Sequence, residues 1–518
     1  MSLRWDSGSL RRLVSGTIGL APLQHRYRFK SRPESLLVNQ NKLLAIETNL
    51  LPNQASVCRQ MSALSVSTFM FRVIVTVLGL ELLTACVGNR PYRLGGIADE
   101  FYPNQKPPFE QSTVSANRNY RLSFVEFDER GDFWDRRQLG EASRAIRASE
   151  KPTLLVMFIH GWHHNANDRK QSSKNPGDVE TFRCLLSELA VSESLRGFQV
   201  HGVFLGWRGR LVQGPLDYLT FLDRRGAATR VAGTPVTEAI FEIIRQARKA
   251  NPGRSKCVVI GHSFGALVLE KAMAQAITGG VLAQDVQSGG KPFDAPADLI
   301  LLVNSAAESI YAKELGDMFA RIGHRDSINP NRPLLISITS ESDSATRGWF
   351  PVGTFLPNLF AHRRYHWDTR YGTASHEVDQ HEYLTKTPGN NPRLFTHRVL
   401  PEAPPPDALS TTELALKQSR QTEACTAANP AFEENLRHSH GTSFATADPN
   451  NPNQFKWWQL AKIDRASRSP YWVLQVPDEI IHEHTPIFTP AGRAMMAALF
   501  RISNPENVEG PRKMRLSP

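Results

Sequence analysis

Seven almost uninterrupted apolar runs, each five to eight residues long, punctuate the chain: Leu122–Phe127, Thr153–His160, Val200–Trp207, Cys257–Gly261, Leu299–Asn304, Leu334–Thr339 and Trp472–Val476. They are too short for helices, and several lack the polar alternation of a strand with one wet face. Such runs suit central strands covered on both sides. Between them, Asp178–Ala190 and Thr237–Ala250 carry apolar residues at helical spacing behind an acidic first turn or a capping residue. Strand and helix in alternation imply an α/β chain with a mostly parallel sheet and helices on both faces.

Residues 344–470 break the rhythm. Gly389-Asn390-Asn391-Pro392, the proline-rich Pro401-Glu402-Ala403-Pro404-Pro405-Pro406 and Asn450-Asn451-Pro452 mark loops and short helices, so the segment is expected to be an insertion or lid over the carboxyl edge of the sheet. The expected body is thus 121–343 and 471–505 around that insertion, with 506–518 as a tail.

With 518 residues, 41% of them hydrophobic and 21% charged, the composition is that of a folded protein. The net charge of +11 raises the question of nucleic acid. Residues 1–85 hold ten Lys or Arg against four Asp or Glu, leaving only +5 for the rest. No dense basic run is interleaved with aromatics, so nucleic acid is not an expected partner. Five scattered cysteines make neither a disulfide framework nor a CxxC site. Cys257 reads as a core residue, and Cys184 and Cys425 would be able to pair in an oxidising compartment.

At residues 70–85 a single early cation, Arg72, precedes the apolar run Val73–Leu80. This is too short to span a bilayer and has the order of a secretory signal peptide. Leu83-Thr84-Ala85-Cys86 resembles the lipobox of bacterial lipoproteins, which implies lipidation at Cys86, a membrane anchor and a place in the bacterial cell envelope, facing the periplasm or exterior. A signal peptide sits at an amino terminus, so translation is expected to start at Met70 or Met61, with residues 1–69 a gene-model extension or disordered. Residues 86–120, rich in Pro, Asn and Gly, read as a tether.

The chemistry is concentrated where Val258-Val259-Ile260 runs into Gly261-His262-Ser263-Phe264-Gly265-Ala266 and then a helical pattern. G-x-S-x-G at a strand-to-helix junction demands a sharp, strained turn that lifts the serine hydroxyl off the sheet. A hydroxyl is a poor nucleophile unaided, so Ser263 needs a base, an acid to orient it and donors for an oxyanion. Upstream, the apolar strand Leu154–Ile159 ends in His160-Gly161-Trp162.

With these two segments the chain resembles the α/β-hydrolase superfamily, whose fold and acyl-transfer chemistry are then expected here. The resemblance implies an oxyanion hole from the backbone N–H groups of Trp162 and Phe264. It also implies the order Ser, then Asp or Glu, then His. Asp343, just past the strand Pro333–Thr339, is the expected acid, with Glu341 the alternative. His484, ahead of Thr485 and the helix expected at Ala491–Phe500, is the expected base, with His482 the alternative; His397 and His362 lie in the insertion and are disfavoured. His160, His163, His164 and Asp168 have ligand chemistry but no helical i, i+4 pair, so no metal is expected, and no cofactor. The function implied is a serine hydrolase cleaving carboxylic esters of a small molecule or lipid. Acyltransferase or thioesterase activity would use the same triad, and a non-catalytic lipid-anchored scaffold is the reading from another class.

Overall fold

Strand β3 (Thr153–Ile159) is buried at all seven positions, and its alternation shows why. Leu155, Met157 and Ile159 enter one hydrophobic cluster; Leu154, Val156 and Phe158 enter a second. A strand with a core on each face has no wet side, which is the physical origin of its uninterrupted apolar run.

The computed structural model describes residues 88–94 and 108–505, apart from 116–117, 168–176, 193–194, 213–214, 287–294, 323–330, 356–357, 360–363, 369–374, 419–428, 439, 449–450, 452–453 and 464–468. The other strands are β1 (Phe109–Ser115), β2 (Arg118–Glu126), β4 (Gln199–Gly206), β5 (Lys256–His262), β6 (Leu299–Val303), β7 (Leu335–Ser340), β8 (Arg364–Asp368), β9 (Ser375–Asp379), β10 (His397–Glu402), β11 (Ser443–Ala447), β12 (Phe455–Lys462) and β13 (Tyr471–Val476). Strands β8 and β9 form a separate antiparallel pair. The rest make one 11-stranded sheet in the order β1-β2-β4-β3-β5-β6-β7-β13-β10-β12-β11. It is parallel from β2 through to β10 and antiparallel at both ends. The chain is therefore α/β with a mostly parallel sheet.

Helices cover both faces. Helices Arg136–Arg147, Thr234–Ala250 and Phe264–Val286 bring Ile146, Ile243 and Leu267 to the first cluster. Helices Asp178–Val191 and Pro490–Ser503 bring Phe182, Leu186, Met495 and Leu499 to the second. Among the described residues no helix is long and apolar enough to cross a membrane.

Two expectations about organisation need correction. Segment 344–470 is more than loop and lid, because β10, β12 and β11 within it extend the sheet beyond β13. Strand β10 alternates buried and exposed positions, and β12 has Lys456, Gln459 and Lys462 among its apolar residues, so no continuous apolar run marks them. Residues 86–120 are not simply a tether: β1 is an edge strand, and residues 91–94 are fixed to the body. The backbone N–H groups of Tyr92 and Arg93 donate to the buried Glu126 carboxylate. The Arg93 guanidinium lies 3.9 Å over the Phe124 ring and donates to Ala166 O. Residues 1–87, with Cys86 and the signal-like segment, lie outside the described residues, as do Asp168, His362, Cys425 and the tail 506–518. Cys257 is a free, buried thiol. Cys184 is disulfide-bonded.

Candidate active site

Strands β5, β7 and β13 end at the same edge of the sheet, since Val476 at the end of β13 pairs with Ser340 at the end of β7 and β6 links β7 to β5. Parallel strands must all deliver their following loops to one edge, so residues distant in sequence meet there.

Ser263 follows β5 directly, with φ +56°. This left-handed conformation is costly for a residue with a Cβ. The helix Phe264–Val286 starts at the next residue, so the turn is as tight as a strand-to-helix reversal can be. It is crowded too. A Cβ on Gly265 would lie 2.2 Å from Ile159 O, and one on Gly161 would lie 2.8 Å from the Ser263 Cβ. The loop His160-Gly161-Trp162 thus runs against the serine, and only glycine permits that approach.

His484 connects this serine to an acid. Its Nε2 accepts from the Ser263 hydroxyl at 2.8 Å, and its Nδ1–H donates to Asp343 Oδ1 at 2.9 Å. Asp343 sits three residues past β7 and is buried. Its carboxylate also accepts from the Thr346 N–H (3.1 Å) and the Thr346 hydroxyl (2.6 Å). Burial pushes the Asp343 pKa up, but the charge and hydrogen bond of His484 and both Thr346 bonds outweigh it, leaving the group below its ordinary value. An ionised Asp343 keeps the proton on Nδ1 and the acceptor lone pair on Nε2.

The alternatives lie elsewhere. Glu341 is exposed, and its backbone N–H donates to Val476 O. His482 is exposed and bonded to Asp478 at 2.9 Å. His397 belongs to β10, buried against Trp472 with ring centroids 4.0 Å apart; burial, then Lys462, brings its pKa down to about 4.

Two residues not singled out from the sequence hold the base. Asn304, fully buried and at φ +47°, donates from Nδ2 to the carbonyls of Glu483 (3.2 Å) and His484 (3.0 Å). Its Oδ1 accepts from the Ser340 N–H at 2.9 Å. His262 Nε2–H donates to the same His484 carbonyl at 2.9 Å. The signal for Asn304 was present: a polar residue closing the apolar run of β6, level with Ser263.

A cavity of about 720 Å³ opens at Ser263 and His484, with Trp162 and Phe264 in its wall. His163 and His164 also line it, each tied to an acid. His163, at φ +69°, donates from Nδ1 to Asp217 at 2.5 Å. His164 Nδ1 lies 3.5 Å from Asp178, and burial, with the charges of His163, Arg210 and His484, brings its pKa down to about 3. His160 is structural: Nδ1–H donates to Gly161 O, Nε2 accepts from the Trp207 N–H, and the two rings stack. Among the described residues no group of three or more His, Cys, Asp or Glu is disposed to hold a metal ion.

Chemically, this edge of the sheet holds a hydroxyl on a strained turn, an imidazole able to take its proton and a carboxylate able to stabilise the resulting cation. Comparison with family models, with curated proteins and with solved structures finds no match to the chain.

Proposed function

We propose that the protein is a serine hydrolase of the α/β-hydrolase type that cleaves carboxylic esters through an acyl-enzyme on Ser263. The observation that carries this is the continuous hydrogen-bonded line from the Ser263 hydroxyl through His484 to Asp343, at 2.8 and 2.9 Å.

In the proposed reaction, His484 Nε2 takes the hydroxyl proton as Ser263 Oγ attacks the ester carbonyl carbon. The carbonyl π electrons move to oxygen, and the backbone N–H groups of Trp162 and Phe264 donate to that oxyanion. Collapse breaks the bond to the alcohol oxygen, which leaves with the proton from His484. Water then repeats the sequence: His484 deprotonates it, it attacks the acyl carbon, and Ser263 recovers its proton as the acid departs. Asp343 stays ionised throughout and stabilises the imidazolium. A preorganised oxyanion donor of this kind contributes about 3–4 kcal/mol, because charge appears on the oxygen only in the transition state. Anchoring through a lipid on Cys86 is part of the same proposal and rests on the sequence Leu83–Cys86 alone.

Labelling with a fluorophosphonate tests the proposal. Wild type is expected to label and Ser263→Ala not to; labelling that persists in Ser263→Ala, or a wild type that neither labels nor hydrolyses p-nitrophenyl acetate, would overturn it.

A further inference from the structure

Water-exposed large apolar side chains are scarce in the described part of the chain, and they are not scattered. Of the ten, five line the one cavity that holds Ser263: Tyr218, Leu219, Leu222, Trp349 and Val352. Leu219 is 82% exposed and Val352 66%, so neither is there to stabilise the fold. Exposed apolar surface gathered in one place marks a binding function.

The five come from two separate pieces of chain. Tyr218, Leu219 and Leu222 belong to residues 215–231, and Trp349 and Val352 to residues 345–355. The Tyr218 and Trp349 rings lie 6.4 Å apart, linking the two banks. Below the rim, Phe221 packs so closely on Gly353 that a Cβ there would sit 2.5 Å from its ring. From Phe221 an aromatic floor leads inward to the residue after the nucleophile, with Phe221 and Phe264 centroids 5.3 Å apart. The path from solvent to the Ser263 hydroxyl is therefore apolar along this side. On the His163 side of the wall the charges meet one another, Asp217 taking the His163 Nδ1–H and pairing with Arg210 at 3.3 Å, while Glu483 lines the cavity beside His484.

Building on the proposed ester hydrolysis, we propose that the substrate is an ester carrying a long aliphatic chain, which lies along the Phe264–Phe221 floor and leaves between the two banks. A polar or sugar-like group would strip water from these side chains without replacing its hydrogen bonds, whereas each methylene laid on them leaves water. Whether the chain belongs to the acyl or the alcohol half of the ester is decided by the experiment, because either would occupy the same trough.

Two series are measured on the full chain at concentrations below substrate aggregation: p-nitrophenyl esters from C2 to C14, and acetates of linear alcohols over the same range. In one series kcat/KM is expected to rise about two- to fourfold per methylene until the trough is filled. In Leu219→Asp and Val352→Asp the C12-to-C2 ratio in that series is expected to fall at least tenfold. Ile463→Asp, at an exposed apolar residue away from the cavity, is expected to leave the ratio unchanged. A wild type that hydrolyses the C2 ester but shows flat or falling profiles in both series overturns the inference and leaves ester hydrolysis standing. So does an unchanged ratio in both rim variants, including the case where Leu219→Asp turns a dimer into a monomer and the rim is a contact between copies. Fluorophosphonate labelling of Ser263 without hydrolysis at any length also overturns it; absence of both labelling and hydrolysis overturns the proposed function itself.

Discussion

The side-chain amide of Asn304 donates to the backbone carbonyl of His484 at 3.0 Å. Its other hydrogen bonds reach Glu483 O and the Ser340 N–H, so one buried side chain ties the end of β6 to the end of β7 and to the loop after β13. The imidazole has no regular secondary structure of its own to hold it; Asn304 and His262 supply that restraint.

Replacing Asn304 with Ala takes the partner from Glu483 O and the Ser340 N–H and leaves His484 O with His262 alone. The expected cost is about 1–3 kcal/mol of stability for the unpaired buried groups. Turnover is expected to fall tenfold or more with KM little changed, because the loss is one of alignment in the transition state. Steady-state kinetics on a p-nitrophenyl ester, alongside a denaturant melt, measures both; turnover within twofold of wild type would remove Asn304 from the positioning role.

Ser263 offers a way to weigh the strain of the turn apart from chemistry. Ser263→Ala and Ser263→Gly both lack the hydroxyl, but only Gly relieves the φ of +56°. The Gly variant is expected to be more stable than the Ala variant by about 0.5–1 kcal/mol, the left-handed penalty less the extra backbone entropy of Gly. Thermal unfolding of the pair decides it, and a less stable Gly variant would contradict the strain.

Four substitutions separate the acid and base from their sequence neighbours. Asp343→Asn is expected to lower kcat about 10³–10⁴-fold by reversing the imidazole tautomer, and His484→Ala to abolish turnover. Glu341→Gln and His482→Ala are expected to stay within about twofold of wild type, since neither side chain is bonded to the triad. Initial rates give the answer, and a large loss in His482→Ala would move the base.

Stability is expected to fall as the pH rises from about 6.5 toward 8; below that window the buried His160, His164, His201 and His397, brought down to about 3–4 chiefly by burial, act with the opposite sign, because the unfolded state takes up protons that they do not. Glu270 is buried without a partner for Oε1. Burial first, then the negative charge of Glu308, pushes its pKa from the ordinary 4.5 to about 8, against the pull of Ser305 and Lys271. Between those values the folded state holds a proton that the unfolded state has released, so raising the pH favours unfolding. Burial raises Glu126 to about 7 and Asp178 to about 6, with the same sign. Asp343 has the opposite sign: its depressed value contributes stability above the usual carboxylate range, lost as the pH falls through the folded value. Glu270→Gln is expected to raise Tm at pH 8 and to flatten the fall between about pH 6.5 and 8; an unchanged slope in the variant would count against it.

The sheet's middle was legible because burial on both faces leaves a coarse mark on composition. Strands β3, β5 and β6 are dominated by Val, Ile, Leu, Met and Phe, and the polar residues that follow the runs, His160 after β3 and His262-Ser263 at the end of β5, stand out against them. The outer strands carry no such mark. In β10, His397 and Val399 are buried while Arg398 and Leu400 are exposed, and Pro401 follows the two residues that pair with β13, so proline looked like loop. Asn304 carries no such mark for a different reason: it is neither acid, base nor nucleophile, and it acts through hydrogen bonds to main-chain atoms of chain segments far away in sequence. The rim at Leu219 and Val352 escaped notice because a lone Leu or Val is unremarkable until two distant segments set them side by side.

Asp343 and His484 stand 141 residues apart in sequence, yet β7 and β13 are hydrogen-bonded along their whole length. The intervening chain leaves at one rung and comes back at the next, adding its own strands on the far side. It behaves as a parenthesis in the polypeptide: it can lengthen or shorten outward, at β12 and β11, while the acid and the base keep their separation. Descendants of this chain are thus free to vary the outer edge of the sheet without retuning the proton transfer at its centre.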